Sequence, residues 1–313
     1  MCVRMKLLII GYKNHALRLH RLLTTLGAND IKLWNYRVDS YDEILNSDVI
    51  FIASPNNTHV DYIKNILETS KKKDSVYIFC EKPPATEHES IMYLDHDIPE
   101  NIKKRIYFNF NYRHSILAKG ISKVLNSGEL GNPIYFSFYN SHGLAFKDPN
   151  NWRFSSGNLM DGILGTVTSH YLDLCLWLFD IHDIFLYKND IAKNNIIDTI
   201  TVNLLIKHKK YCNIDIFNSY AGPYINEAKL IFEDGYFSLK NGKLSLFSPR
   251  DSFSSDGRFT IPNETIIFDG DYYDVSLLNS LKYFIDAVKM NREFPLKMYN
   301  CSMRTNKFLL DYC

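Results

Sequence analysis

The residues best suited to chemistry in this 313-residue chain lie in Phe79-Cys80-Glu81-Lys82-Pro83-Pro84. The apolar run 75–79 leading into them reads as a buried strand. Two prolines, which cannot continue a strand or donate hydrogen bonds, then end it. A carboxylate and an ammonium are thereby set at the carboxyl end of a strand, where ligands sit in open α/β sheets. Proline after lysine biases Lys82 towards extended backbone, so its ammonium can project from the strand end. A solvated surface turn would use the same residues, and the neighbouring segments decide between the two.

Those segments alternate strand and helix. Residues 6–10 form a short apolar strand ending at Gly11, and Ala16, Leu19, Leu22, Leu23 and Leu26 then recur at helical spacing until Gly27. A second strand, 31–34, follows. The turn Gly11-Tyr12-Lys13-Asn14-His15-Ala16 matches G-x-G-x-x-G/A at its first and third places, but Lys13 occupies the second. Two readings stay open: Lys13 swings outward and pairs with phosphates as a point charge, or the phosphate site is lost and Lys13 is a solvated loop residue. His15 reads as a helix-start surface residue rather than a catalyst. After the second strand, Asn35 lacks the charge that would repel a 2′-phosphate, and Arg37 could pair with one. The two tilt the reading towards NADP over NAD, although a plain strand end explains them nearly as well. Strand 48–53 runs into the capping-rich turn Ser54-Pro55-Asn56-Asn57-Thr58-His59. A helix with Val60, Ile63, Ile66 and Leu67 on one face comes next, then the strand to Glu81, a helix over 87–94, and strand 106–110 before Asn111-Tyr112-Arg113. The pattern predicts a parallel, doubly wound sheet.

Beyond Gly131 the pattern changes. Strands are predicted at 133–141, 199–206, 211–217, 227–232 and 236–239, giving an open, mostly antiparallel sheet, with a late amphipathic helix over 275–290. The fold class is therefore α/β: a Rossmann-type dinucleotide-binding domain at 1–113 and an α+β substrate-binding and oligomerisation domain at 114–313. Residues 248–257 read as a mobile loop.

Composition narrows the function classes. The formal net charge of +1 gives no field suited to nucleic acid or an anionic membrane. Lys71–Lys73 read as a solvated helix end. The six cysteines are scattered without a C-x-x-C pair, as in a reducing cytosol, and no metal site is expected. No segment is apolar and long enough to span a bilayer. A cytoplasmic protein is expected.

In their order and spacing, Ser54-Pro55-Asn56 with Thr58-His59, Glu81-Lys82-Pro83, Asn111-Tyr112-Arg113 and Ser127-Gly128-Glu129-Leu130-Gly131 resemble the glucose–fructose oxidoreductase/inositol dehydrogenase (Gfo/Idh/MocA) family. The resemblance implies an NAD(P)-dependent oxidoreductase acting on a sugar, polyol or nucleotide sugar, in a setting such as surface-polysaccharide biosynthesis. It also implies a homo-oligomer, dimer or tetramer, assembled through the second-domain sheet. The cofactor would be bound by Gly11, Lys13, Asn14, His15, Asn35, Arg37, Ser54, Pro55, Asn56, His59, Glu81 and Lys82.

The same resemblance points to Thr166-Val167-Thr168-Ser169-His170-Tyr171-Leu172-Asp173. The family places Asp and His four apart on one helical face, with a second Asp three residues on. His170 and Asp173 are kept, while Thr166 stands where the first aspartate usually does. His170 would be the base that takes a hydroxyl proton, and Lys82 would stabilise the developing oxygen charge. Thr166 could hydrogen-bond but not ionise, and Asp173 would orient its neighbours or the substrate. Without the resemblance, His170 would read as a satisfied core histidine. Arg113, Asn109, His142, Trp152, Arg153 and Tyr171 are further substrate-side candidates, Arg153 for a hydroxyl, carboxylate or phosphate. The rival reading is a retired enzyme that binds a sugar or a partner protein, suggested jointly by Lys13 and Thr166. A lyase or isomerase using bound NAD transiently is a third.

Overall fold

The computed structural model describes residues 5–69, 75–155, 158–193, 195–207, 211–249 and 252–313, with only the backbone of Trp152 and Ser155. Lys71–Lys73 and part of the expected loop 248–257 lie outside the described residues. The chain divides into two compact units.

The first unit holds five parallel strands, β1 (Leu7–Ile10), β2 (Ile31–Trp34), β3 (Val49–Ile52), β4 (Tyr77–Glu81) and β5 (Ile106–Asn109), in the order β2-β1-β3-β4-β5. The runs Leu7-Leu8-Ile9-Ile10 and Val49-Ile50-Phe51-Ile52 are apolar without alternation because both faces of a parallel sheet are covered. The direction of winding reverses between β1 and β3, the topological switch point at which ligands bind in such sheets. Gly11 stands there with φ +135°, and a Cβ on it would lie 2.8 Å from the Ala53 carbonyl oxygen. The turns leaving β1 and β3 therefore approach more closely than any side chain permits.

The core of this unit is aromatic. Phe51 packs on Phe79 at 5.1 Å between ring centroids, and both meet Phe284, at 5.4 and 5.2 Å. Phe284 belongs to the helix Tyr272–Lys289, the late helix predicted at 275–290. From Leu278 onwards that helix, together with Leu296–Asp311, belongs to the first unit. The division thus differs from the one expected at 113/114. An amphipathic face states that a helix must bury one side; it does not name the sheet it covers. The helix Leu296–Asp311 was not foreseen at all.

The second unit contains an eight-stranded sheet: β6 (Pro133–Ser141), β7 (Ile181–Asn189), β8 (Thr199–Lys207), β9 (Tyr211–Ser219), β10 (Ile225–Phe232), β11 (Gly235–Lys240), β12 (Lys243–Phe247) and β13 (Glu264–Phe268). Its order is β13-β12-β11-β10-β6-β9-β8-β7. Neighbours run antiparallel except β6 and β9, which are parallel with Ser141 beside Ser219. The five predicted strands are present. β7, β12 and β13 were missed, and two of these are the edges, where exposure on both faces weakens the alternation that marks a strand.

Replacing Phe284 by Ala is expected to lower unfolding stability by about 3–5 kcal/mol. Urea denaturation followed by circular dichroism measures this, and a change within about 0.5 kcal/mol, typical of a surface site, would contradict the packing described.

Candidate active site

Within the first unit, Lys13 precedes the helix Asn14–Thr25 with φ −93° and ψ −174°, and its side chain caps none of the first-turn N–H groups. This backbone is ordinary for any residue, so a lysine is tolerated where the glycine fingerprint expects none. Its side chain is exposed, as both readings of Lys13 require. The Cβ-free approach of Gly11 to Ala53 and the open amino end of a twelve-residue helix suit a pyrophosphate.

Glu81 ends β4, and its buried carboxylate is fixed from two sides. Asn109, its register partner on β5, donates through Nδ2 to Oε1 at 2.9 Å. His15 Nε2 lies 2.8 Å from the same oxygen. Burial alone would lower the His15 pKa, but the charge of Glu81 and the hydrogen bond to it together outweigh burial and hold the imidazole above its ordinary value. Burial would likewise raise Glu81; His15, Asn109 and Lys82 outweigh it and hold the carboxyl below its ordinary range. His15 is therefore neither a plain surface residue nor placed like a catalyst. It joins the dinucleotide turn to the strand end that presents Lys82.

His59 differs from its expected role at the cofactor. It is fully buried, with Nδ1 2.9 Å from the Pro83 carbonyl and Nε2 3.1 Å from the Ser54 carbonyl. Both ring nitrogens are engaged on backbone, so the imidazole struts the turn after β3 against the turn after β4. The Thr58 hydroxyl donates to the Pro55 carbonyl at 2.7 Å and lies 2.7 Å from the Ser54 hydroxyl, and Asn56 opens the short helical turn there. At the end of β2, Asn35 Oδ1 accepts from the Arg37 N–H at 3.1 Å, while the Asn35 N–H donates to Asp39 at 2.7 Å. The Arg37 guanidinium lies over the Tyr36 ring and donates to its hydroxyl at 2.9 Å. Tyr36 in turn faces Tyr12, an aromatic pair that sequence reasoning passed over. A cavity of about 400 Å³ opens at the opposite, amino-terminal edge of the sheet, lined by Lys6, Asp30, Lys32, Asp42 and Glu43. Lys32 there pairs with Asp39 and Glu43, and the cavity lies away from the strand ends that carry Gly11 and Lys82.

In the second unit the turn Asn111–His114 seats the helix Ser169–Leu178. Arg113 grips Asp173 through Nε (2.7 Å to Oδ2) and Nη2 (2.5 Å to Oδ1), and its guanidinium lies over Trp177. Both partners are buried. Arg113, expected on the substrate side, and Asp173, expected to orient its neighbours or the substrate, form a bidentate clamp that fixes the helix. Tyr112 stacks on His170 at 4.7 Å and 24°, and Tyr171 meets Tyr112 edge-on. The Asn-Tyr-Arg motif thus orients the histidine.

Thr166 hydrogen-bonds, as its type allows, with partners inside the protein. It lies in a π-helical turn, Leu164–Thr168, that runs into the His170 helix. Its hydroxyl donates to the Gly162 carbonyl at 2.5 Å and lies 2.5 Å from the Tyr220 hydroxyl. A hydroxyl has one proton, so Tyr220 is the donor to Thr166. Thr166 is therefore tied into its own turn rather than poised to take a proton. Tyr220 was missed by sequence reasoning. Its only signal was an aromatic residue closing a strand just before Gly222-Pro223. His142 stacks on Tyr220 at 4.9 Å, and burial, then Arg153, lowers the His142 pKa. Of Trp152 only the backbone is described.

The description "Oxidoreductase family, NAD-binding Rossmann fold" matches residues 13–104, and "GFO/IDH/MocA C-terminal domain" matches residues 119–238. The chain belongs to the Gfo/Idh/MocA family of NAD-binding oxidoreductases. It is 21% identical over 296 residues to a protein of Bacillus subtilis strain 168 named Uncharacterized oxidoreductase YrbE, covering 88% of this chain and 80% of that one. It is 28% identical over 153 residues to levoglucosan dehydrogenase of Pseudarthrobacter phenanthrenivorans, covering 48% of this chain and 36% of the other. A solved levoglucosan dehydrogenase in complex with NADH and levoglucosan shares the fold, with TM-score 0.74 and 15% identity over 98% of this chain and 97% of that one.

Two outcomes follow from these pairs. Asp173→Asn, which leaves Arg113 buried opposite a neutral amide, is expected to cost about 3–5 kcal/mol in urea unfolding; a change below about 1 kcal/mol would contradict the clamp. His15→Ala should lower the melting temperature in a pH-dependent way. The raised His15 pKa contributes stability below its ordinary value of 6.5, lost as pH rises through the folded value. The depressed Glu81 pKa contributes above 4.5, lost as pH falls through its folded value. The gap between wild type and variant should peak between about 4.5 and 6.5 and shrink on either side; a gap constant with pH would contradict the pairing.

Proposed function

We propose that this protein is an NAD(P)-dependent dehydrogenase or reductase acting on a secondary alcohol or ketone of a sugar, polyol or nucleotide sugar. The observation that carries the reading is Lys82 at the carboxyl end of β4, beside a Glu81 carboxylate locked by His15 and Asn109. Gly11, the turn at Lys13 and the amino end of Asn14–Thr25 would hold the pyrophosphate, with Ser54, Pro55 and Asn56 alongside. A bound nicotinamide would supply the hydride acceptor or donor. Lys82 would hold the alcohol oxygen through Nζ and stabilise the charge that develops there. His170 would take the hydroxyl proton on a ring nitrogen, its plane fixed by Tyr112.

Arg37 and Tyr36 support a preference for NADP, since a guanidinium beside the β2 end suits a 2′-phosphate. Exposed Phe185, Tyr187 and Tyr211 on the second-unit sheet support a homo-oligomer formed through it. A cytoplasmic setting and a place in surface-polysaccharide biosynthesis belong to the same reading. One observation favours the rival, a retired sugar- or protein-binding member: Thr166 replaces a carboxylate and its proton is committed to Gly162.

Lys82→Ala is expected to lower turnover by at least about a hundredfold, as loss of an oxyanion donor does, while NAD(P)H affinity changes less than about tenfold. Steady-state absorbance at the nicotinamide band, beside calorimetric cofactor titration, separates the two effects. Undiminished turnover in the variant would refute the assignment.

A further inference from the structure

Lys13 stands where the dinucleotide fingerprint has a glycine, and the first unit gives it specific company. β1 and β2 run parallel with Ile10 beside Trp34, and the Gly11 N–H continues the ladder by donating to the Trp34 carbonyl at 3.0 Å. The two chains stay abreast beyond that bond. Tyr12 meets Tyr36 with 6.4 Å between ring centroids. The next residue on each chain is a cation, Lys13 on one and Arg37 on the other, and both are exposed.

Among the described residues neither cation is paired with a carboxylate. The Arg37 guanidinium lies over the Tyr36 ring at 5.4 Å, and its Nε donates to the Tyr36 hydroxyl at 2.9 Å. That bond leaves the terminal fork of Arg37 and the proton of Tyr36 as donors. The hydrogen bond and charge of Arg37, then the charge of Lys13, hold the Tyr36 hydroxyl below its ordinary pKa. Lys13 thus acts on the same ring as Arg37. The one carboxylate in residues 35–39, Asp39, is engaged elsewhere. Its Oδ2 accepts from the Asn35 N–H at 2.7 Å, and its Oδ1 lies 3.3 Å from Lys32 Nζ. The acceptor that a ribose 2′-hydroxyl uses in an NAD site is therefore tied to the protein's own backbone and to a lysine.

We propose that Lys13 and Arg37 grip the 2′-phosphate of NADP from the ends of β1 and β2, so that Lys13 determines cofactor choice rather than serving the pyrophosphate or lying idle in the loop. A phosphomonoester carries about −1.5 to −2 charge at neutral pH, which two cations can answer. Arg37 supplies a planar fork, Lys13 a point charge and Tyr36 a hydroxyl donor. This rests on the dinucleotide-binding reading and goes beyond it in assigning the altered fingerprint position to specificity.

The test is calorimetric titration of the full chain with NADPH, NADH and adenosine 2′,5′-bisphosphate, which carries the 2′-phosphate without the nicotinamide. Wild type should bind NADPH about 10- to 100-fold more tightly than NADH, the size of charge-assisted contacts. Lys13→Ala should weaken NADPH about tenfold and NADH less than about threefold, and Lys13→Arg should restore most of the difference. Retained NADH binding also shows that the variant is folded. Equal losses for both dinucleotides would put Lys13 on the pyrophosphate, and no loss for either would make it a solvated loop residue; each result overturns the proposal. Equal binding of the two by wild type overturns it as well and leaves the dinucleotide reading standing. Binding of the bisphosphate but of neither dinucleotide, weakened in Lys13→Ala, would uphold the grip and remove the oxidoreductase reading. Binding of none of the three would overturn both.

Discussion

The polar groups at the carboxyl ends of β4 and β5 are keyed to one buried carboxylate, Glu81. It receives Asn109 from β5 and His15 from the dinucleotide turn. Asn109 is itself held by Ser280, which donates to its Oδ1 at 2.7 Å, and Tyr107 lies 2.7 Å from Ser280. Since Ser280 spends its proton on Asn109, Tyr107 donates to Ser280. The protons therefore run one way, from Tyr107 to Glu81, and end on an acceptor. Such a network is stable only when every member is satisfied. It fixes the ends of β4 and β5, the first helix and the late helix in one arrangement. Lys82, the next residue, takes its direction from that frame. Pro83 adds to it, since its carbonyl is bound by His59.

The second unit solves the same problem with an ion pair. Arg113 and Asp173 are removed from solvent and grip each other with two bonds. Burying both charges is costly, and the pair is tolerated because the geometry is bidentate and the guanidinium also rests on Trp177. The return is orientational: the His170 helix cannot rotate without breaking it, and Tyr112 fixes the imidazole plane. In both units, residues that look chemically capable hold others in place. Reaction chemistry is left to few groups, and Lys82 and His170 are the two the proposal uses.

The sequence revealed the parallel sheet well, because doubly covered strands are short, apolar and separated by recognisable turns. It revealed the central strands of the second sheet for the same periodic reasons. The edges β7 and β13 escaped because exposed strands need no apolar alternation. The partner of the late helix escaped because Leu281, Phe284 and Ile285 announce burial but not against what. At the candidate site, residue types singled out Glu81, Lys82 and His170, but they did not disclose the partners that Arg113, Asp173, Thr166 and His59 find inside the protein. A buried arginine and a substrate-binding arginine look alike in one dimension. Only the distance to Asp173 separates them. Tyr220 contacts Thr166 across fifty-four positions, a pairing no local pattern encodes.

The central claim is that the turn after β1 still binds a dinucleotide although Lys13 replaces a glycine. The most direct measurement is calorimetric titration of the folded, nucleotide-free protein with NADPH and then NADH. The account predicts binding of at least one in the micromolar range, with NADPH the tighter if Arg37 meets the 2′-phosphate. No detectable binding of either would contradict it and leave the protein a family member that has given up its cofactor.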